Sequence, residues 1–570
     1  MAWLKETRIA RWIRDRRRVS APTSILAIAI AAVSTAALTG AFTGALTGKT
    51  AGPALTRQQV AQHILKTEQA RLLTAPAQAA LRMLAAGGKQ LSAGLNSQEP
   101  GSLPGREQTG PASGGVALPK AAFSNVRVND PSLDTHEADQ TTQSETTIAV
   151  AGPHVAVGYN DSQQTGLFIT AGSTITGYSY SDDGGATFTD GGPLPNTPEF
   201  VNFGDPWMTS DRAGSMYFSN LSFDLFNFNL DVTVAKSANG GKTWGTPVPV
   251  FRPPINILYF ADKDSLTAGP DPTVRSRDDI YATWDDFSLN LDTGAGFSGL
   301  PVARSTDGGA TWNRSYAKKF PLDENGCSFQ QFLGATPIVN HTNGTLYVAA
   351  EKIVVNDRRC TGRAQPHLSE WIFRSTDGGR TFSPGVKIAG VTEAVPNELL
   401  FLGPGKYMRT AEFPTLALRG KTLFVAWNDG ALGRSHIKLA TSTNRGQTWT
   451  SSFVTRGHGD EIQPALSSDS SGVHLLYYHR NPNNTLDVFA ATSQNGTAFA
   501  TERVTTESFP GTLTFPPFDP IIAFGYMGDY IANVSHGSHQ YYAWGDNRDQ
   551  VTDFLYPNGR SDPDVFFARH

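Results

Sequence analysis

The sequence predicts an all-β fold, a seven-bladed β-propeller with six blades as the alternative, preceded by an N-terminal helical and linker extension. Three observations carry this. An eight-residue motif recurs roughly every 50–70 residues, a period that suits propeller blades. Seven short apolar segments with the texture of β-strands lie between its copies. Aromatic residues make up 10% of the chain, beside 56 Gly and 35 Pro, a composition suited to many short strands joined by tight turns.

The first 50 residues read as a signal peptide or signal anchor. Basic residues Lys5, Arg8, Arg11, Arg14, Arg16, Arg17 and Arg18 precede an apolar, Ala-rich run from about Ile25 to Leu46. The run is long enough to cross a bilayer. The expected location is therefore secreted or cell-surface, with membrane contact only through this segment. Residues 51–119 divide into a helical stretch, broken near Pro76, and a linker rich in Gly, Ser and Pro. Residues 120–570 hold the repeats.

The motif reads SDDGGATF at 181–188, SANGGKTW at 237–244, STDGGATW at 305–312, STDGGRTF at 375–382 and STNRGQTW at 442–449. A shortened copy, SQNGTAF, occupies 493–499. Its logic is that of a staple. An Asp or Asn side chain caps the turn, Gly supplies the backbone angles, Thr closes the loop, and the aromatic packs between blades. The second strands are VAVGYND (155–161), MYFSNLS (216–222), IYATWDD (280–286), LYVAAEK (346–352), LFVAWND (423–429), HLLYYHR (474–480) and YYAWGDN (541–547). A short strand precedes each, and a third runs into the motif, so each repeat is a four-stranded up-and-down unit. The chain ends on an unpaired third strand, DVFFARH (564–570), and a spare strand occupies 122–130. Pairing these two closes the ring and removes a sheet edge.

The pattern Ser-x-Asp-x-Gly-x-Thr-Trp/Phe resembles the bacterial neuraminidase repeat, the Asp box of sialidase-like propellers. The resemblance covers about 120–570. It implies an exported propeller that binds extracellular glycan or glycoconjugate and hydrolyses glycosidic bonds as an exo-sialidase-like glycoside hydrolase. The alternative is a non-catalytic binding or scaffold propeller for a protein or polysaccharide. The sequence departs from the sialidase pattern in two ways. Only Arg127 occurs before the first box, and the nearest Phe-Arg-x-Pro segment, FRPP at 251–254, follows the second. Seven repeats also replace the six of sialidases.

In an up-and-down unit, residues before the first strand and after the second share the mouth opposite the boxes. That mouth reads as carboxylate-rich. The catalytic candidates are Asp529, Tyr530, Glu412, Arg480 and Arg548. The binding candidates are Glu145, Asp205, Asp262, Asp286 and Asp429. Asp161, Asp264, Asp285, Glu351, Asp460 and Glu461 accompany them. Paired carboxylates are what glycoside hydrolysis needs, and Tyr526 or Tyr530 is the tyrosine candidate. Crowded acids must be paired, protonated or metal-bound, so a calcium ion at this rim is a further expectation. A net charge of -4 gives no reason to expect a nucleic-acid partner, and a monomer is expected. Cys327 and Cys360 are placed to form a disulfide in an oxidising compartment. No HExxH, GxSxG or Walker pattern occurs.

Overall fold

The computed structural model describes residues 56–65, 81–82, 84–85 and 123–570, apart from 136–139, 164–171, 323–327, 358, 360–363, 396–397, 405, 512–526 and 553–555. The signal segment, the linker, Tyr526, Cys327 and Cys360 lie outside the described residues.

The described chain is almost entirely β. Among the described residues its strands form four sheets of four strands, one of five, one of nine and a two-stranded hairpin; each run of four antiparallel strands, whether a whole sheet or part of a larger one, is a unit, read inner to outer. Unit 1 runs Gln143–Ala151, His154–Asp161, Thr176–Ser181 and Thr189–Pro193. Unit 2 runs Trp207–Ser210, Met216–Asp224, Leu230–Ser237 and Val248–Pro249, and unit 3 Ile257–Pro270, Asp278–Asn290, Gly296–Ser305 and Asn313–Pro321. Unit 4 runs Phe329–Val339, Leu346–Val355, His367–Ser375 and Val386–Val391, and unit 5 Thr415–Arg419, Thr422–Asp429, His436–Ser442 and Thr450–Phe453. Unit 6 runs Glu461–Ser468, Val473–Arg480, Thr485–Ser493 and Ala500–Arg503. Unit 7 runs Ala532–His536, His539–Val551 and Arg560–Arg569, and its outer strand is Val126–Arg127.

The spare strand does pair with the chain's last one: Val126 faces Phe567, and Arg127 faces Phe566. First strands are neighbours in chain order, and that of unit 7 returns to that of unit 1. Two features were not legible in the sequence. A parallel contact of Phe260 with Leu230 joins units 2 and 3 into one sheet, and a hairpin, Leu399–Phe401 with Tyr407–Arg409, precedes unit 5.

The core lies between units. Trp284, Trp427 and Trp544 occupy matching positions in three second strands and are fully buried. Such large side chains supply most of the apolar area that holds neighbouring units face to face. The helix Arg57–Ile64 adds to this core, burying Val60, Ala61 and Ile64 beside Leu221, Phe223 and Leu230 of unit 2.

The six repeated hairpins share one hydrogen-bond plan. In the first, Ser181 Oγ donates to Asp183 Oδ1 at 2.7 Å, and Thr187 donates to Asp183 through its amide (3.0 Å) and its hydroxyl (2.7 Å). The Gly185 amide donates to Ser181 Oγ at 2.9 Å. Asp307 and Asp377 repeat the plan with Thr311 and Thr381. The aromatics pack across unit boundaries: Trp244 meets Tyr178 edge-on at 5.9 Å, and Phe188 meets Phe567 at 5.0 Å.

Candidate functional site

The end opposite the boxes is built differently. In four units the first strand carries a non-glycine residue in the left-handed region: Glu145 (φ 54°), Asp205 (φ 53°), Lys263 (φ 39°) and Gln463 (φ 50°). Units 4 and 7 place Gly334 and Gly528 there. The register shifts at this point in units 1, 3, 4 and 6, as in a β-bulge. Bulges re-aim side chains, and left-handed non-glycine residues cost energy, so the surrounding structure must hold these positions in place.

Below the bulges lies a cavity of about 140 Å³ to which every unit contributes residues; Thr147, Trp207, Lys263, Gln463, Asp529 and Tyr530 line it. Lys263 is buried, its Nζ 3.8 Å from the centre of the Tyr530 ring and 4.3 Å from that of Trp207. Burial pushes its ammonium below the usual lysine range, against the pull of Asp205, Asp264, Glu145 and Asp529. Burial first, then Glu145 and Asp262, drives Asp205 well above the carboxylate range. Burial lifts Asp264 to about 7.

Asp529 is 2% exposed, and neither of its carboxylate oxygens accepts a hydrogen bond. Arg409 Nη1 stands 3.4 Å from Asp529 Oδ2. Burial raises Asp529, while Arg409 and Lys263 hold it down. Its amide donates to Glu145 Oε1 at 2.9 Å, and Asn160 donates to Glu145 Oε2 at 2.8 Å. Both oxygens of Glu145 are thus committed. The Tyr530 hydroxyl donates to the Pro206 carbonyl at 2.9 Å.

The carboxylates expected as one rim are buried and fall into separate groups. Glu145, Asp205, Asp262, Asp264 and Asp529 gather around Lys263. Glu412 belongs to a second group between units 4 and 5, with Glu351 and Glu370, which face each other on adjacent strands. All three are buried, and neither Glu370 oxygen accepts a hydrogen bond. Burial and mutual repulsion push all three well above the glutamate range. Asp429 borders this group and is paired with Lys438 at 3.1 Å.

The remaining candidates lie away from the cavity because each has a local partner. Arg480 pairs with Asp460 at 2.6 Å, Arg548 with Asp546 at 2.5 Å, and Asp286 accepts from Tyr316 at 2.7 Å. Glu461 sits between His436 (2.6 Å) and His479 (2.8 Å); burial raises it, but the two histidines prevail and hold it near 2. Lys263, Trp207 and Arg409 were missed by sequence reasoning. Aligning the bulge positions of the first strands would have singled out Lys263.

The described architecture is that of an all-β repeat protein with a buried acidic site where its first strands meet. No protein-family model matches the sequence, and no curated protein matches it. Solved structures similar to it include a phage phi92 endosialidase, at 10% identity over 78% of this chain and 68% of that one, with a TM-score of 0.39. An α-L-arabinanase of Penicillium chrysogenum shares 14% identity over 65% of this chain and 98% of its own, with a TM-score of 0.42. A sialidase of Trypanosoma rangeli shares 14% identity over 65% of this chain and 59% of its own, with a TM-score of 0.37.

Proposed function

We propose that this chain is an exported, seven-bladed, sialidase-like propeller that binds glycan in the cavity below the bulges and hydrolyses a glycosidic bond there. The observation that carries the reading is Asp529. It is a buried carboxylate on the cavity wall, free of hydrogen bonds, beside the aromatic rings of Trp207 and Tyr530. Aromatic faces receive the apolar face of a sugar ring, and a carboxyl group raised by burial can deliver a proton to a leaving oxygen. Such chemistry needs a second carboxylate; this scheme assigns Asp205, which is not on the cavity wall but accepts from the amide of the lining residue Lys263 through Oδ2 and accepts no hydrogen bond at Oδ1. The Tyr530 hydroxyl is engaged with the Pro206 carbonyl, so Tyr530 is not the nucleophile of this scheme.

The test is to incubate the purified full chain with fluorogenic α-sialosides and α-L-arabinofuranosides and to screen it on a glycan array. Turnover that Asp529→Asn abolishes supports the reading. Absence of both turnover and glycan binding overturns it. The rival, a non-catalytic propeller, is favoured by one observation: among the described residues that line the cavity there is no arginine to grip an acidic sugar. Binding without turnover would establish that rival.

A further inference from the structure

A third group of acids lies away from the cavity, where the two ends of the repeat region meet. Asp134 follows the short turn Pro131–Leu133, which leads into unit 1. Asp562 and Asp564 stand on the last strand, Arg560–Arg569. One oxygen from each of the three lies within 4.8 Å of the others. Around a cation bound at about 2.4 Å, oxygens on opposite sides stand about 4.8 Å apart. Oxygens that all lie within that distance of one another can reach a single divalent cation of calcium's size.

The second observation is that the group's hydrogen bonding is incomplete. Asp564 is fully buried; Asn129 donates to its Oδ1 at 2.7 Å, but its Oδ2 accepts no hydrogen bond. Asp134 Oδ2 is likewise buried and accepts none, while Gln143 Nε2 donates to Oδ1 at 2.9 Å. Buried acceptors without donors are costly. The nearby cations do not remove the charge. Arg127 stands 3.9 Å from Asp564 but 2.7 Å from Asp549, and Arg560 stands 3.4 Å from Asp562. Asp161 adds a fourth acid, tied to Gln143 at 3.2 Å.

We propose that Asp134, Asp562 and Asp564 form a calcium site that clasps the segment leading into unit 1 to the chain's last strand. A hard divalent cation supplies the partner that Asp134 Oδ2 and Asp564 Oδ2 lack, while Asp562, which accepts from Thr141 at 2.6 Å, adds the third carboxylate. Because the ligands come from opposite ends of the repeat region, binding fastens the closing sheet, in which Val126–Arg127 already pairs with that strand. The bound ion favours the folded state by mass action.

The experiment uses the full chain. Metal content is measured after dialysis against calcium, and the thermal midpoint is measured in excess EDTA and in millimolar calcium. The proposal expects one calcium per chain and a midpoint several degrees higher in calcium than in EDTA. Asp134→Asn, whose residue lies outside any strand, should hold no calcium and lose that difference while still folding in EDTA. Asp564→Asn serves as a second variant on the strand itself. A wild-type chain that holds no calcium and melts alike in both solutions overturns the proposal. So does one whose calcium and midpoint shift persist in Asp134→Asn.

Discussion

The two ends of the repeats use the same residue type to opposite purposes. At the boxes, Asp183, Asp307 and Asp377 stand in solvent and accept hydrogen bonds from Ser and Thr. The Ser181 and Thr187 bonds hold Asp183 well below the usual range, and the Thr381 and Ser375 bonds hold Asp377 near 2 against its slight burial. At the other end, Asp205, Asp529 and Glu370 are buried, short of donors and raised. A satisfied carboxylate in water costs little and orders a turn. A dissatisfied one in the interior costs stability, and proteins keep such groups where they act on something. The satisfied carboxylates of the box end order turns, and the bulge end is where the proposed function places ligand chemistry.

The largest effect should come from removing residues 122–130. This strips the outer strand from unit 7, with the Val128 amide bond to Val565 (2.8 Å) and the Asn129 bonds to Asp564 and Val565. It also exposes a sheet edge. We expect aggregation, or a fall in thermal midpoint of about 10 °C or more; an unchanged melting curve would break the account of closure.

Lys263→Met should follow. It removes a buried cation from among Asp205, Asp264, Glu145 and Asp529. Breaking one side of such a buried pairing costs about 3–5 kcal/mol. Denaturant unfolding at neutral pH checks this, and the loss should shrink in acid as the carboxylates protonate. A loss below about 1 kcal/mol would show that the acids are already neutral.

A smaller effect sharpens the comparison through pH. Glu351, Glu370 and Glu412 take up protons more readily folded than unfolded, so the folded state binds more protons above the ordinary glutamate value of 4.5. Stability should therefore fall as pH rises from 4.5 toward neutrality. Glu370→Gln should flatten that fall and leave the protein about 1–3 kcal/mol more stable at pH 7 than the wild type. Glu461 works in the opposite sense. Held near 2 by His436 and His479, it contributes stability above 4.5 that is lost as pH falls toward 2. Replacing it by Gln should remove only the acid limb of the profile.

Much of this was legible in the sequence because repeats state their own plan. The boxes, the seven second strands and the closing strand rest on local turn chemistry and on hydrophobic alternation, both of which are written residue by residue. Strand polarity likewise brought Asp205 and Asp529 to one end. Burial was not legible. An Asp before a strand reads alike whether it meets water or neighbouring units, so how deeply these carboxylates lie is known only from the structure. Pairing was not legible either. Arg480 and Arg548 read as catalytic candidates and partners for the rim's acids, but which acid each takes, Asp460 and Asp546, was not written in the sequence. Lys263 was hidden between two aspartates in ADKDS, where it reads as a solvated charge. Its meaning depends on the rings of Trp207 and Tyr530, which come from units 2 and 7.

The division of labour between the two ends can be measured in one experiment, glycan binding and thermal unfolding recorded together for wild type, Asp529→Asn and Asp307→Ala. The account predicts that Asp529→Asn weakens binding at least tenfold while the midpoint stays level or rises. It predicts that Asp307→Ala loses about 1–2 kcal/mol of stability through its turn bonds, with binding unchanged below the transition. Selective loss of binding in Asp307→Ala, with Asp529→Asn binding as wild type does, would place the working end at the boxes and contradict the account.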